Sequence, residues 1–575
     1  MFKEAVFHRP KNNFVYAYNS ETLHVRIQTK KDDINSIVLH FQDPFAFDGV
    51  GIEHSTVAMT RIGTGSLYDY WQGEISSPHI MRIEYCFELS DGEETCFFGE
   101  SGFCGAYEEI KNHFRYPYLH KADVFDAPEW VKETVWYQIF PERFANGDPS
   151  NDPEGTLSWG SEPPSETNFF GGDLEGIIQK LDYIKDLGVT GIYLTPVFKA
   201  ESNHKYDTID YMEIDPQFGD KETLKRLVKE AHDKGIRVML DAVFNHSGYY
   251  FKPFQDVLEN GEQSKYKDWF HIHEFPVKTE PVPNYDTFGF TYTMPKFNTQ
   301  NPEAREYLLK VARYWIEECD IDGWRLDVAN EVDHAFWIDF RKTVRDIKPD
   351  LYIVGEIWHD SLPWLQGDQF DAVMNYPFTS RVKDYFAYRS ISLAEFREGI
   401  EELKFMYPQN VHDVAFNLLG SHDTPRILDE CGDDKEKVKL LFLFQLAFSG
   451  SPCLYYGDEI AMFGGGDPGN RACMVWDEES MDLELLEFVK QLLHLRKEHK
   501  ALSRGEIGFH VREDCLAFEK HYGDETLFVV INNSDEPGTF EFDHEHFSFL
   551  LLNGESVEEE KAISLPPKGY AILKA

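Results

Sequence analysis

The chain has 575 residues and a formal net charge of −45, from 101 Asp and Glu against 56 Lys and Arg. Such an excess of acid repels phosphate backbones and anionic lipid headgroups, which argues against nucleic acid and membrane surfaces as partners. With 42% hydrophobic and 27% charged residues the composition is that of a globular protein, long enough for roughly four domains of about 150 residues, or fewer where one is a large α/β barrel.

No window reaches the 18 or more apolar residues of a membrane span. The first residues carry Glu4, His8, Arg9 and Lys11 where a secretory leader needs an unbroken apolar core, so a cytoplasmic setting is expected. The eight cysteines form no CxxC pair, which argues against a zinc site and fits unpaired thiols in a reducing compartment; a disulfide among Cys86, Cys96 and Cys104 is the minor alternative.

Residues 1–123 read as short strands. His24 to Ile27 and Met81 to Tyr85 alternate in polarity and are bounded by Asp, Gly and Ser, predicting a β-sandwich. From about 134 short apolar runs alternate with amphipathic helices. Ile177, Leu181 and Ile184 share a face in a helix predicted over 173–188, and Leu224, Leu227, Val228 and Ala231 do so over 221–235. Strands are predicted at Val135 to Phe140, Gly191 to Leu194, Ile236 to Leu240, Ile321 to Leu326, Tyr352 to Val354, Asp371 to Asn375, Val414 to Leu419 and Pro452 to Tyr456. Eight strands alternating with helices specify a (β/α)8 barrel over 124–500, with 247–300, too long for an ordinary loop, as a subdomain inserted after the third strand. Residues 501–575 are again β-rich, with strands at Thr526 to Ile531 and Tyr570 to Leu573, and form a C-terminal β-domain.

In such a barrel the chemistry lies at the C-terminal strand ends. Four of those ends carry acids, namely Asp241, Asp327, Glu356 and Asp423. A single strand-end carboxylate often caps a helix, whereas four at one mouth point to catalysis. Arg325 and Asp327 alternate along one strand and share a face, so the guanidinium is expected to keep Asp327 ionised as a nucleophile. Glu356, in Gly355-Glu-Ile-Trp358, has apolar neighbours that would raise its affinity for a proton, as a general acid needs. Carboxylates differentiated in this way suit acid and nucleophile work on a glycosidic bond.

The segments Asp241-Ala-Val-Phe-Asn-His246, Gly323-Trp-Arg-Leu-Asp-Val-Ala-Asn-Glu331, Gly355-Glu-Ile-Trp358 and Leu419-Gly-Ser-His-Asp-Thr424 resemble the ordered signature regions of the α-amylase superfamily of glycoside hydrolases. Met294-Pro-Lys-Phe-Asn298, the turn Tyr456-Gly-Asp-Glu459 and the extra N-terminal domain narrow the resemblance to the neopullulanase, cyclomaltodextrinase and maltogenic amylase group, over nearly the whole chain. The resemblance implies a retaining α-glucan hydrolase with Asp327 as nucleophile, Glu356 as acid and base, and Asp423 fixing sugar hydroxyls. It further implies that His246 and His422 bond the sugar, that Arg325 orients Asp327, that Tyr206 is a stacking platform and that Trp358 lies beyond the scissile bond. By the same resemblance Glu331 lies near the acceptor, and Asp467 and Arg471 reach the non-reducing end, where a plain loop salt bridge is the alternative. Phe297 for the usual Leu, Ala461 for the usual Gly, and Pro425 depart from the group's pattern.

Asn146, Asp148, Asn151, Asp152, Gly171 and Asp173 offer hard oxygen ligands of the kind calcium takes, and the resemblance places a structural calcium there; the alternative is a polar turn with Asp173 capping a helix. It also implies a homodimer in which residues 1–123 narrow access to the partner's site. The predicted activity is cleavage of α-1,4 bonds in cyclodextrins, maltooligosaccharides and pullulan, with some α-1,6 cleavage or transglycosylation. Two other readings stand beside it. One is a metal-dependent barrel lyase, since strand-end acids also ligate magnesium, although Arg325 beside Asp327 would compete with a metal. The other is a catalytically silent glucan-binding scaffold. The surplus acid itself suggests a saline or alkaline setting.

Overall fold

The computed structural model describes residues 1–46, 53–76, 82–510, 515–541, 547–557 and 562–575. The chain divides into two compact units.

The first unit comprises Met1–Ala127 together with Asp360–Gly367 and Ser390–Asp413. A four-stranded and a six-stranded sheet face each other here. Alternation places Leu23, Val25 and Ile27 of one sheet and Leu39, Phe87 and Leu89 of the other in a common core at 0% exposure. The predicted strand at Met81 to Tyr85 is observed as Ile83–Ser90, with Met81 outside the described residues. A boundary at 123 assigns 360–367 and 390–413 to the barrel, yet both pack with the N-terminal sheets. The helix Leu393–Met406, opened by a Ser392 and Glu395 capping box, explains why. Its Phe405 stacks on Tyr70 at 4.2 Å and meets Phe14 edge-on at 5.2 Å, while Glu398 pairs with Lys31 at 2.6 Å.

The second unit, Pro128–His359, Asp368–Arg389 and Val414–Ala575, holds the barrel. Its strands are β1 (Trp136–Ile139), β2 (Gly191–Leu194), β3 (Arg237–Ala242), β4 (Gly323–Leu326), β5 (Tyr352–Gly355), β6 (Ala372–Val373), β7 (Phe416–Leu418) and β8 (Ser451–Tyr455). They form one parallel sheet in the order β6-β5-β4-β3-β2-β1-β8-β7, and a parallel bridge between Met374 and Phe416 joins its two edges. All eight strands fall where the apolar runs predict them. Each is buried on both faces, as parallel strands covered by helices must be.

The helix predicted over 173–188 is two, Leu174–Gln179 and Leu181–Leu187, because Lys180 at φ −101° and ψ 3° leaves the helical region. Glycine 188 then ends the second at φ 101°. Trp136, Trp315, Trp324 and Trp337 are wholly buried, each contributing about 1.5–3 kcal/mol through apolar area removed from water. Below the strands Asp322 accepts from the Val238 N–H at 2.9 Å and meets His232 at 2.6 Å, Arg237 at 2.9 Å and Lys348 at 3.0 Å.

The insertion after β3 carries the helix Lys252–Asn260 and its own aromatic core. Phe297 is buried there and stacks on Phe270 at 5.5 Å, which accounts for a ring where a smaller Leu is usual. The C-terminal residues form a five-stranded and a three-stranded sheet over Ala517, Val530, Ile563 and Leu573, in the same compact unit as the barrel. All eight cysteines are free. Among the described residues no helix is long and apolar enough to cross a membrane.

Candidate active site

The strand ends converge on a cavity of about 530 Å³ lined by Tyr206, His246, Asp327, Glu356, Trp358, Asp423, Asp467 and Arg471, among others. Arg325, wholly buried beneath it, is the centre of charge. Its Nη1 donates to Asp327 Oδ1 at 2.8 Å and to both oxygens of Asp241, at 3.0 and 2.9 Å. Its Nη2 lies 2.8 Å from Glu356 Oε2. Asp327 and Glu356 are thus held by the two terminal nitrogens of one guanidinium.

The remaining contacts separate the two acids. Asp327 Oδ2 has no hydrogen-bond partner among the described residues, leaving an oxygen free for attack. Glu356 accepts from the Val328 N–H at 2.9 Å and from Trp358 Nε1 at 3.1 Å. Val328 adopts φ 45°, a left-handed conformation that strains a β-branched residue and turns its N–H onto the acid. The expectation that Arg325 holds Asp327 low is corrected. Burial dominates and, with Glu356, Asp241 and Asp423 adding, pushes Asp327 well above the usual carboxylate range, because Arg325 is divided among three acids instead of serving one. The expectation of an apolar surround for Glu356 is corrected as well, since a cation and two N–H donors face it.

Asp241 does not line the cavity. It accepts from Tyr193 at 2.7 Å and Tyr206 at 2.9 Å, and burial, opposed by Arg325, pushes its carboxyl up to about 6. Tyr206 lies parallel to His422 at 5.3 Å, with its hydroxyl 2.6 Å from His422 Nε2. With Gln138 Nε2 donating to Nδ1 at 2.7 Å, His422 carries its proton on Nε2, and burial, with Arg471 and Arg325, keeps it neutral. His246 donates to the Tyr206 carbonyl at 3.2 Å, and burial pushes it down to about 3. His422 and Arg325 are each at most 1% exposed and lie behind the lining, so both act through their neighbours.

On one wall Arg471 pairs with Asp467 at 3.0 Å and approaches Asp423 at 3.5 Å, while its Nε donates to the His422 carbonyl at 2.9 Å. Asn470 holds the Thr424 carbonyl at 2.8 Å, fixing the turn at Pro425 without the missing N–H. Ala461 sits at φ 62°, where the usual Gly is unstrained. Opposite, Trp358 is half-exposed and stacks on Tyr376 at 3.5 Å. Glu331 does not reach the lining and faces Lys296 at 3.6 Å, whereas its neighbour Asn330 does reach it. Sequence reasoning also missed Arg143, Ser165, Glu166, Asn203, Phe288 and Pro468. Arg143 stands in the one-turn helix Pro141–Phe144 after β1 and the others on loops after β1, β2, β3 and β8, where no periodicity marks a side chain as inward.

The six residues offered for calcium meet at one loop. Asp173 caps the helix at Leu174 and accepts from Gly147, Asp148 and Gly176 N–H groups and from Asn151 Nδ2. Asp148 accepts from Ser150, and Asn146 Nδ2 donates to Asp152 at 2.9 Å. Among the described residues two buried oxygens, Asn146 Oδ1 and Asn151 Oδ1, are left without a hydrogen-bond partner. Gly171, at φ 82°, brings backbone so close that a Cβ would stand 2.3 Å from Asn146 Nδ2 and from Asp152 Oδ1.

An acid pair clasped by one arginine, under a sugar-sized cavity at the mouth of a (β/α)8 barrel, defines a glycoside hydrolase. Residues 138–505 match the family described as alpha amylase, catalytic domain, and residues 1–120 match the alpha amylase N-terminal ig-like domain. The chain is similar to a cyclomaltodextrinase of Geobacillus thermopakistaniensis (strain MAS1), 56% identical over 100% of this chain and 99% of that protein. It is similar to neopullulanase 2 of Thermoactinomyces vulgaris, 46% identical over 94% of this chain and 92% of that one. A solved cyclomaltodextrinase structure superposes with a TM-score of 0.94 at 48% identity, covering 100% of each chain. The chain therefore belongs to the α-amylase family, and it is an α-glucan hydrolase. These relatives support neither a barrel lyase nor a silent scaffold.

Proposed function

We propose that this enzyme opens cyclodextrins and cuts α-1,4 bonds of short maltooligosaccharides and pullulan with retention, releasing maltose, panose and glucose, with transglycosylation as a side reaction. The observation that carries it is the unpartnered Asp327 Oδ2 beside a Glu356 that shares Arg325. The ionised form of Asp327, which Arg325 favours against burial and the neighbouring acids, attacks the anomeric carbon through Oδ2 while Glu356 gives its proton to the glycosidic oxygen, so the C–O bond breaks and a glycosyl ester forms on Asp327. Glu356 then takes a proton from water, whose oxygen attacks the same carbon and frees Asp327. Asp423, steadied by Arg471 and His422, holds hydroxyls of the distorting ring. Names of relatives, cyclomaltodextrinase and neopullulanase, support the substrate range. The test is product analysis of β-cyclodextrin, pullulan and starch digests with wild type and Asp327→Asn. Fast opening of cyclodextrin to α-anomeric maltose, lost about 10⁴-fold or more in the variant, is the expected result. A preference for starch, or an active variant, refutes it.

A structural calcium at this loop is supported by the two buried amide oxygens of Asn146 and Asn151 that lack hydrogen-bond partners among the described residues, and by Gly171, where a Cβ would strike Asn146 and Asp152. Asn146, Asn151, Asp152 and the Gly171 carbonyl would hold it, with Asp148 and Asp173 shaping the loop. Bound calcium would neutralise the acids and lock the turn. A cytoplasmic site is supported by a relative named intracellular maltogenic amylase, from Bacillus subtilis (strain 168). A homodimer, with the N-terminal unit narrowing access to the partner's site, accords with a preference for small glucans; light scattering should give twice the 66.9 kDa chain mass, and a monomer at micromolar protein refutes it.

A further inference from the structure

Arg143 follows β1 and is 1% exposed, yet it borders the cavity. Its Nη2 donates to the Asn168 carbonyl at 2.8 Å and to Asn168 Oδ1 at 3.0 Å, and its Nη1 donates to the Arg471 carbonyl at 3.0 Å. Its Nε is bound by Glu142, whose other oxygen accepts from Phe170 and Gly171 N–H groups. From β2, Asn203 Nδ2 donates to the same segment, at Ser165 O (3.0 Å) and Asn168 O (2.9 Å). Two loops distant in sequence, 165–168 and 467–471, thus form one wall of the cavity through a single guanidinium. The planar guanidinium serves the two loops through separate nitrogens, whereas a lysine ammonium would have to serve both from one point on a shorter stem.

We infer that Arg143, seconded by Asn203, is a positioning residue that fixes the length of the donor side of the cleft, and thereby which product is released. Arg471 and Asp467 pair with each other and Arg471 approaches Asp423; by the family resemblance Asp467 and Arg471 reach the non-reducing end, so this wall would face the sugar units that stay on the enzyme. When that wall is held, the retained chain ends at a fixed distance from Asp327. When it is loose, longer pieces are accommodated and each binds less well. The inference rests on the glucan reading above.

The test measures kcat, KM and product lengths on maltotriose, maltohexaose and β-cyclodextrin for wild type, Arg143→Lys and Asn203→Ala, with melting temperatures alongside. The expected result for Arg143→Lys is a KM raised tenfold or more, kcat within threefold, and maltose giving way to a maltose and maltotriose mixture. Asn203→Ala should move the same quantities in the same direction, by three- to fivefold, and keeps the inference testable if the Arg143 variant fails to fold. A loss confined to kcat, or unchanged KM and products in folded variants, overturns it. If wild type releases no maltose from cyclodextrin, the substrate reading fails separately, and the KM split on whichever glucan is cut still decides the role of Arg143.

Discussion

Asp241→Asn tests whether a carboxylate hidden from the substrate governs catalysis. The swap keeps shape but removes one of three negative partners of Arg325 and turns an amide toward a guanidinium that now stands 3.0 and 2.9 Å from carboxylate oxygens. Removing one member of a buried ion pair costs about 3–5 kcal/mol, and because Arg325 keeps Asp327 and Glu356 the lower end, about 3 kcal/mol, is expected. Freed from Asp241, the guanidinium moves toward Asp327 and weakens its nucleophilic oxygen. The cost of the lost pair falls on folding stability; the kinetic effect comes from the shifted guanidinium displacing Asp327, and a misplacement of about 1 Å lowers kcat about 10²-fold. KM should change little, since Asp241 is 1% exposed and touches no substrate. The pH profile supplies a second reading. Asp241 has a carboxyl raised to about 6, so wild type loses this anion as pH falls through 6 and its rate should fall there, while in the variant this step is absent and the fall that remains belongs to Asp327. Steady-state kinetics on β-cyclodextrin from pH 5 to 8 measures both. A kcat within threefold of wild type, or a tenfold rise in KM alone, refutes the reasoning.

Two further predictions concern stability. Burial alone would push Asp322 up, but His232, Lys348 and the Val238 N–H outweigh it and draw its carboxyl down to about 2 from 3.8. Its stabilising contribution, about 2–2.5 kcal/mol at about 1.36 kcal/mol per pKa unit, is present above pH 4 and lost as pH falls toward 2; Asp322→Asn should flatten that acid loss in denaturation curves, and an unchanged slope speaks against it. Gly171→Ala forces a Cβ against Asn146 and Asp152 at φ 82°. Wild type should gain about 2.7 kcal/mol of apparent stability at calcium a hundredfold above Kd, and the variant none; equal calcium shifts in calorimetry would remove calcium from this loop.

The barrel was legible because its strands are short apolar runs separated by amphipathic helices that glycines such as Gly188 and Gly235 close, so period and punctuation agree. The four strand-end acids followed from position alone. What escaped had no local signal. The break at Lys180 depends on one backbone conformation, and the affiliation of Leu393–Met406 with the N-terminal sheets depends on where Phe405 finds its aromatic partners. Spacing placed Arg325 beside Asp327 but could not reveal that Asp241 and Glu356 claim the same cation. Arg143 and Asn203 are invisible for a similar reason, since each is defined by carbonyls far away in sequence.

The left-handed Val328 separates what the backbone supplies from what the side chain costs. A β-branched residue at φ 45° costs about 1–3 kcal/mol that asparagine or glycine would largely recover, so the residue after the nucleophile is a reserve of thermal stability left unused. That same turn aims an amide at Glu356. Asparagine or glycine would keep both the angle and the amide, so stability could be gained at this turn without moving the donor to Glu356.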